Sequence, residues 1–217
     1  MAGSVGPYGA VLADGSEYSG AYTRPDWPGR AAGGLSVAEL RAFHRPRLEV
    51  LAKAGADVLA CETLPAAAEV EALLAELALL GVPAWLSLTT VVDAEGVVRT
   101  RRGEPAADVF ALARGVDAVV ATGVNCTGPA GVSAALEAAR ASGKPAVAYP
   151  NSGQRWDGAR RRWTGPADLH PDDVQGWVAA GARLVGGCCR VGPGQLAQMG
   201  AALQEGPSGR TAPPPSG

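Results

Sequence analysis

The sequence predicts an α/β fold built on a parallel sheet with crossover helices. Three observations carry the prediction. Short apolar runs alternate regularly with longer stretches of helical spacing. Several of those runs are almost continuously apolar, as strands buried on both faces are. A rhythm also repeats: Leu51-Ala-Lys-Ala-Gly-Ala-Asp-Val-Leu59 has its counterpart in Val178-Ala-Ala-Gly-Ala-Arg-Leu-Val185. Each reads as a helix end, a glycine, and a strand that starts at once, because the glycine can take the left-handed turn. The rhythm suits a (β/α) barrel and a doubly wound sheet equally, and it specifies no function.

Strands are expected at 2–5, 57–61, 84–89, 118–124, 145–149 and 183–186, each a short run bounded by turn residues. Helices fill the gaps. Ser36-Val-Ala-Glu39 has the form of a capping box and opens a helix over 36–54, which Gly55 stops. Apolar residues recur at helical spacing over 66–80 up to Gly81, and further helices are expected at 104–114, 129–141, 172–180 and 193–203. A closed (β/α)8 barrel needs eight strands and roughly 250 residues. Six strands therefore mean either an open sheet or a barrel whose first two βα units are missing at the front.

The chain has 217 residues, and 47% of them are hydrophobic, enough for one sizeable core. We expect one domain over 1–204 and a disordered tail over 205–217, where Pro, Gly and Ser dominate. The net charge of −2 gives no bulk attraction to nucleic acid or to an anionic membrane. No apolar run approaches the roughly 18 residues of a membrane span. Four cysteines in a chain of this size do not make a disulfide scaffold, so a cytoplasmic protein with reduced thiols is expected.

Polar and thiol groups cluster just past the expected strand ends, the face on which parallel α/β folds build sites. Cys126 follows one strand in Gly123-Val124-Asn125-Cys126, and Cys188 and Cys189 follow another in Gly186-Gly187-Cys188-Cys189-Arg190. Three thiolates with one exchangeable position suit a catalytic zinc ion. Buried free cysteines also serve simply as small apolar residues, and without a CxxC spacing that reading weighs slightly more. Cys61 reads as a core residue inside its strand. Glu62, next to it, could bind an ammonium group or serve as a helix N-cap. Tyr149-Pro-Asn-Ser-Gly153 brings polar groups to the same rim, and Gly6–Gly9 with Asp14–Tyr18 form a long loop able to cover a ligand. His44 sits in a helical pattern, where packing or hydrogen bonding explains it better than catalysis. Neither GxGxxG nor a phosphate-loop lysine motif is present.

Together, Gly3–Gly9, Asp14–Tyr18, Glu62-Thr-Leu-Pro65, Val124-Asn-Cys126, Tyr149–Gly153 and Gly186–Arg190 resemble the homocysteine S-methyltransferase family in order and spacing. The likeness is greatest to members that use S-methylmethionine or S-adenosylmethionine as methyl donor. The resemblance implies a (β/α)8 barrel with one zinc ion held by three thiolates, here Cys126, Cys188 and Cys189. It implies that Glu62 helps hold the amino group of homocysteine and that Asn125 borders the metal. The partners it implies are small molecules: homocysteine and a sulfonium donor. Members of the family begin earlier, with two strands that this chain lacks, so its six strands would be the third to the eighth. Met1 would then be an internal start within a longer natural protein. Two alternatives accompany this reading. One is a truncated, inactive, zinc-binding barrel fragment. The other is a cobalamin-linked methyltransferase module, for which 217 residues leave no room for corrinoid and folate domains.

Overall fold

The structure is a computed structural model that describes residues 1–157 and 160–205. Strand β1 (Ala2–Val5) is followed by the short helix α1 (Tyr8–Leu12) and by α2 (Val37–Lys53). Strand β2 (Val58–Leu64), helix α3 (Ala67–Leu80) and strand β3 (Ala84–Leu88) come next. A hairpin of β4 (Thr90–Val92) and β5 (Val98–Thr100) precedes α4 (Ala106–Ala111), β6 (Val119–Asn125), α5 (Val132–Ala139) and β7 (Ala146–Tyr149). A second hairpin, β8 (Arg155–Asp157) and β9 (Arg162–Thr164), leads to α6 (Asp173–Ala179), β10 (Ala182–Val185) and α7 (Pro193–Glu205). No helix among the described residues is long and apolar enough to cross a membrane.

Six strands form one parallel sheet in the order β1-β2-β3-β6-β7-β10, which is their order along the chain. A doubly wound sheet reverses its order at a switch point. This sheet does not, so the doubly wound reading is set aside. Right-handed crossovers between strands paired in sequence send every helix to one side. Successive helices accordingly pack on one another: α2 on α3, α4 on α5, α5 on α6 and α6 on α7. Among the described residues β1 and β10 are the two edges, and the sheet is not closed.

The register sorts side chains onto two faces, because successive residues of a strand point to opposite sides. Val5, Leu59, Cys61, Leu86, Leu88, Val124 and Ala148 share the helix-covered face and belong to the main core. Ser4, Glu62, Trp85, Ser87, Asn125 and Tyr149 alternate with them on the other face. The central strands are buried on both faces as expected, since Ala60, Ser87, Ala121, Asn125 and Val147 of the second face are buried too, but that face carries polar groups. Gly123 also lies on the polar face, and a Cβ there would come within 1.8 Å of the Val147 carbonyl oxygen. Only glycine allows β6 and β7 to approach so closely.

Several boundaries differ from expectation. The strand expected at 57–61 runs on to Leu64, with its register broken between Cys61 and Leu64 where Thr63 takes a left-handed φ of 60°. The helices expected at 104–114 and 129–141 shrink to α4 and α5. The 129–141 stretch begins and ends in tight turns, Pro129–Gly131 and Arg140–Ser142. The two hairpins were not expected. The first turns on Asp93, whose Oδ1 accepts from the Glu95 and Val97 amides at 3.1 and 2.7 Å. The tail expected over 205–217 lies outside the described residues from 206 onward, while Glu205 closes α7.

The long segment between α1 and α2 is tied down by a buried polar cluster. Glu69 on α3 accepts from the Tyr22 hydroxyl and, at 2.7 Å, from the Tyr8 amide, and His44 Nε2 lies 2.8 Å from its Oε1. Arg47 donates to the Gly6 carbonyl and, at 2.7 Å, to His44 Nδ1, which leaves Nε2 as the proton-bearing nitrogen facing Glu69. Tyr22, His44 and Glu69 are each 0% exposed. The capping box of α2 forms as expected, with Ser36 and Glu39 bonded reciprocally.

Two outcomes follow. Removing the carboxylate with Glu69→Ala strands buried donors, and chemical denaturation should show a loss of about 3–5 kcal/mol. A loss below about 1 kcal/mol would contradict the anchoring role. Glu76 is nearly buried and bonded to Arg45 and Arg41, which hold its carboxyl down to about 2 from the ordinary 4.5. The folded chain binds that proton more weakly than the unfolded chain does. The stabilisation is therefore complete above pH 4.5 and is lost as the pH falls toward about 2. Glu76→Gln should flatten that acid limb of the stability curve, and an unchanged limb would contradict the assignment.

Candidate metal centre

Three sulfurs converge at the C-terminal rim of the sheet. Cys126 follows the last residue of β6, and Cys188 and Cys189 follow β10. The sheet pairs β6 with β7 and β7 with β10, so only one strand separates the two cysteine-bearing ends. The Cys126 and Cys188 sulfurs are 2.7 Å apart, Cys126 and Cys189 3.6 Å, and Cys188 and Cys189 4.0 Å. All are free thiols. Cys126 adopts a left-handed φ of 49°, which turns its side chain inward at a backbone cost on the order of 1–3 kcal/mol. The Cys188–Cys189 turn is held by the Cys188 amide, bonded to Pro150 O at 2.8 Å, and by the Cys189 carbonyl, which accepts from Ser152 N at 3.0 Å. Gly187 must be glycine, because a Cβ would meet Val191 at 2.2 Å.

The electrostatics suit a cation. Hydrogen bonds from Cys126 and Cys188, and a further one from the Tyr18 hydroxyl at 3.8 Å, hold the Cys189 thiol down to about 3. The two neighbouring sulfurs and burial push the Cys126 thiol far up, and burial with the adjacent sulfur charges pushes Tyr18 up. Two thiolates about 4 Å apart repel by about 4 kcal/mol at an effective dielectric near 20. A bound cation removes that repulsion. Three thiolates around one tetrahedral ion with bonds of about 2.3 Å sit about 3.8 Å apart. Two of the three separations already match this, and the third need only open by about 1 Å. The residues therefore fit a metal: each sulfur offers one ligand atom within a radius that one ion can bridge.

Asn125 lies beside the group, with Nδ2 3.8 Å from Cys188 Sγ. It also grips Thr63, donating to its hydroxyl and accepting from its amide, both at 2.7 Å. That grip holds the left-handed turn next to Glu62. Glu62 lies on the polar face, accepts from Ser4 Oγ at 2.5 Å, and adds to the burial that pushes Tyr149 up. It makes no bond to the thiols among the described residues. Trp85 Nε1 donates to Tyr149 Oη at 2.9 Å on the same face. Cys61 is buried in the helix-covered core, where burial pushes its thiol up to about 12, away from the site. His44 belongs to the cluster behind α2 and not to the rim.

Sequence reasoning overlooked Arg101 and the hairpins. A cavity of about 1000 Å³ opens beside the thiols, lined by Tyr18, Arg101, Cys126, Asn151, Trp156 and Trp163 among others. Arg101 follows β5, and no motif marks it. The loop that carries Tyr18 was legible, but the tyrosine's approach to a sulfur was not.

Comparisons with known proteins agree with this geometry. The family model described as homocysteine S-methyltransferase matches residues 1–203. The homocysteine S-methyltransferase of Escherichia coli (strain K12) is 46% identical over 206 residues, covering 92% of this chain and 61% of that protein. The selenocysteine Se-methyltransferase of Brassica oleracea var. italica is 42% identical over 202 residues, covering 89% of this chain and 54% of its own length. Among solved structures, the metallated form of the homocysteine methyltransferase MmuM from Escherichia coli is similar with a TM-score of 0.73 and 44% identity. That match covers 92% of this chain and 60% of that one, so the chain spans 54–61% of the length of these relatives. With nearly its whole length matched by the family model, and with three thiols gathered at the rim of a parallel sheet, the chain belongs to the homocysteine S-methyltransferase family.

Proposed function

We propose that the chain transfers a methyl group from a sulfonium donor, S-methylmethionine or S-adenosylmethionine, to the thiol of L-homocysteine, giving methionine. The observation that carries this is the convergence of Cys126, Cys188 and Cys189 beside a polar sheet face that holds Glu62 and Asn125. We further propose that the six strands are consecutive units of a (β/α)8 barrel and that the polar face is its interior. Pairing in chain order with helices on one side supports this. A crystal structure with strands tilted roughly 36° about a common axis checks it, and a flat sheet would contradict it. Free thiols suit a cytoplasmic setting.

The three cysteines would hold zinc, which when bound lets the homocysteine sulfur stay a thiolate at neutral pH, where a free thiol with pKa about 8.5 is mostly protonated. The chain's own residues do the rest. Glu62 would hold the substrate ammonium, with Ser4 fixing the carboxylate. Asn125 braces the Thr63 turn that presents Glu62. The homocysteine sulfur forms a bond to the donor's methyl carbon as that carbon's bond to the sulfonium breaks. The electron pair stays on the departing sulfur, which leaves as a neutral thioether. Holding the two sulfurs in line is the work left to the protein, and no general base is needed once the thiol proton is gone.

The chain incubated with homocysteine and either donor should form methionine, and a chelator should abolish it. No methionine with either donor would contradict the reading. A second reading, metal binding without turnover, is favoured by the exposure of Ser4 on the polar face. That reading predicts bound zinc with no methionine formed.

Cys126→Ser, Cys188→Ser and Cys189→Ser should each weaken metal affinity by more than the roughly 10–100-fold typical of losing an outer partner, and activity should fall in step. Metal analysis checks this, and full zinc in all three variants would contradict it. Glu62→Gln should raise the homocysteine KM by roughly tenfold or more while zinc content holds, since a hydrogen bond to a charge is worth about 1.5–3 kcal/mol. An unchanged KM would remove Glu62 from the substrate site.

A further inference from the structure

Arg101 stands on the wall of the large cavity next to the thiol group. Its Nε donates to Thr89 Oγ1 at 3.2 Å, and Thr89 Oγ1 donates in turn to the Cys126 carbonyl at 3.3 Å. Thr89 is fully buried, so the guanidinium is held at a set distance from the Cys126 backbone. Burial lowers the Arg101 pKa, and the groups whose charge it feels are Tyr18 and Cys126. Among the described residues no carboxylate lies within ion-pair distance of it, whereas its neighbour Arg99 is paired with Asp93. A half-buried guanidinium that lines a cavity and is in no ion pair can receive an acid there, because its planar donors match a carboxylate in two-point fashion.

The cavity is not lined by the residues of the proposed amino-group site. It is lined by Tyr18, Arg101 and Cys126, but Glu62, Asn125, Ser4 and Trp85 do not line it. Homocysteine held by Glu62 therefore leaves the cavity to the second reactant. Its volume of about 1000 Å³ stands at the upper end for small-molecule sites, so it admits a bulky donor as well as a compact one.

We propose that this cavity is the donor site and that Arg101 anchors the carboxylate of an amino-acid sulfonium, which restricts the donor to carboxylate-bearing sulfonium compounds. The inference rests on the methyl-transfer reading for the identity of the ligand. Arg101 acts on the donor end remote from the methyl group, so it is a positioning and specificity residue. The competing role is that of a counter-ion to the thiolates.

Calorimetric titration of the zinc-loaded chain distinguishes these roles. The probes are S-methylmethionine and its carboxyl-free analogue (3-aminopropyl)dimethylsulfonium. The unaltered chain should bind S-methylmethionine at least tenfold more tightly than the analogue. Arg101→Ala should lose that preference through a weaker S-methylmethionine affinity, with analogue affinity, homocysteine affinity and zinc content unchanged. Arg101→Lys, which keeps the charge but not the fork, should lie between. An Arg101→Ala variant that keeps the preference overturns the proposal. So does one that loses both ligands equally, one that loses zinc, or an unaltered chain that binds neither probe. If the preference depends on Arg101 but no methionine forms, the methyl-transfer reading fails and the carboxylate site stands.

Discussion

Strands that pair in chain order send every crossover helix to the same side, and that constraint divides each strand into two chemically different rows. Val5, Cys61, Leu86, Val124 and Ala148 meet helices and supply the apolar burial. Ser4, Glu62, Asn125 and Tyr149 alternate with them on the opposite face. Stability and site are thus carried by alternate residues of the same strands. The close β6–β7 contact at Gly123 shows how tightly the pairing is drawn just before the strand reaches Asn125 and Cys126.

The rim is organised by strain and charge together. Thr63 and Cys126 both take left-handed backbone at strand ends, where a β-branched or thiol side chain gains nothing locally. Each has close neighbours, Asn125 at Thr63 and the Cys188 and Cys189 sulfurs at Cys126. Strain of this kind persists only where surrounding contacts overdetermine it. Behind the rim, the Glu69 cluster fastens the segment that brings Tyr18 to Cys189. A buried acid on α3 is thereby linked to the chemistry of the thiols through an otherwise irregular stretch of chain.

Much of this was legible in the sequence. Helix stops at Gly55 and Gly81, the capping box at Ser36 and the apolar strand runs follow local rules, and all six strands of the main sheet appear where expected. The Cys188-Cys189 pair and Cys126 could be placed at one rim from strand order alone, although their spacing did not separate a metal site from core packing. The hairpins were missed because three-residue strands leave too short a pattern to read. Arg101 was missed for a different reason: its position depends on a bond to Thr89, twelve residues back across a hairpin, and nothing local signals that. The alternation of faces was hidden because small residues such as Ala60, Ala121 and Gly123 occupy the polar row and read as apolar.

In the proposed reading, three sulfurs of this chain form an open thiolate site that a thiol substrate completes. X-ray absorption at the zinc edge of the zinc-loaded chain, before and after homocysteine is added, tests it most directly. Three sulfur neighbours at about 2.3 Å should become four. A sulfur count that stays the same on addition of homocysteine, or a starting shell dominated by nitrogen and oxygen, would contradict it.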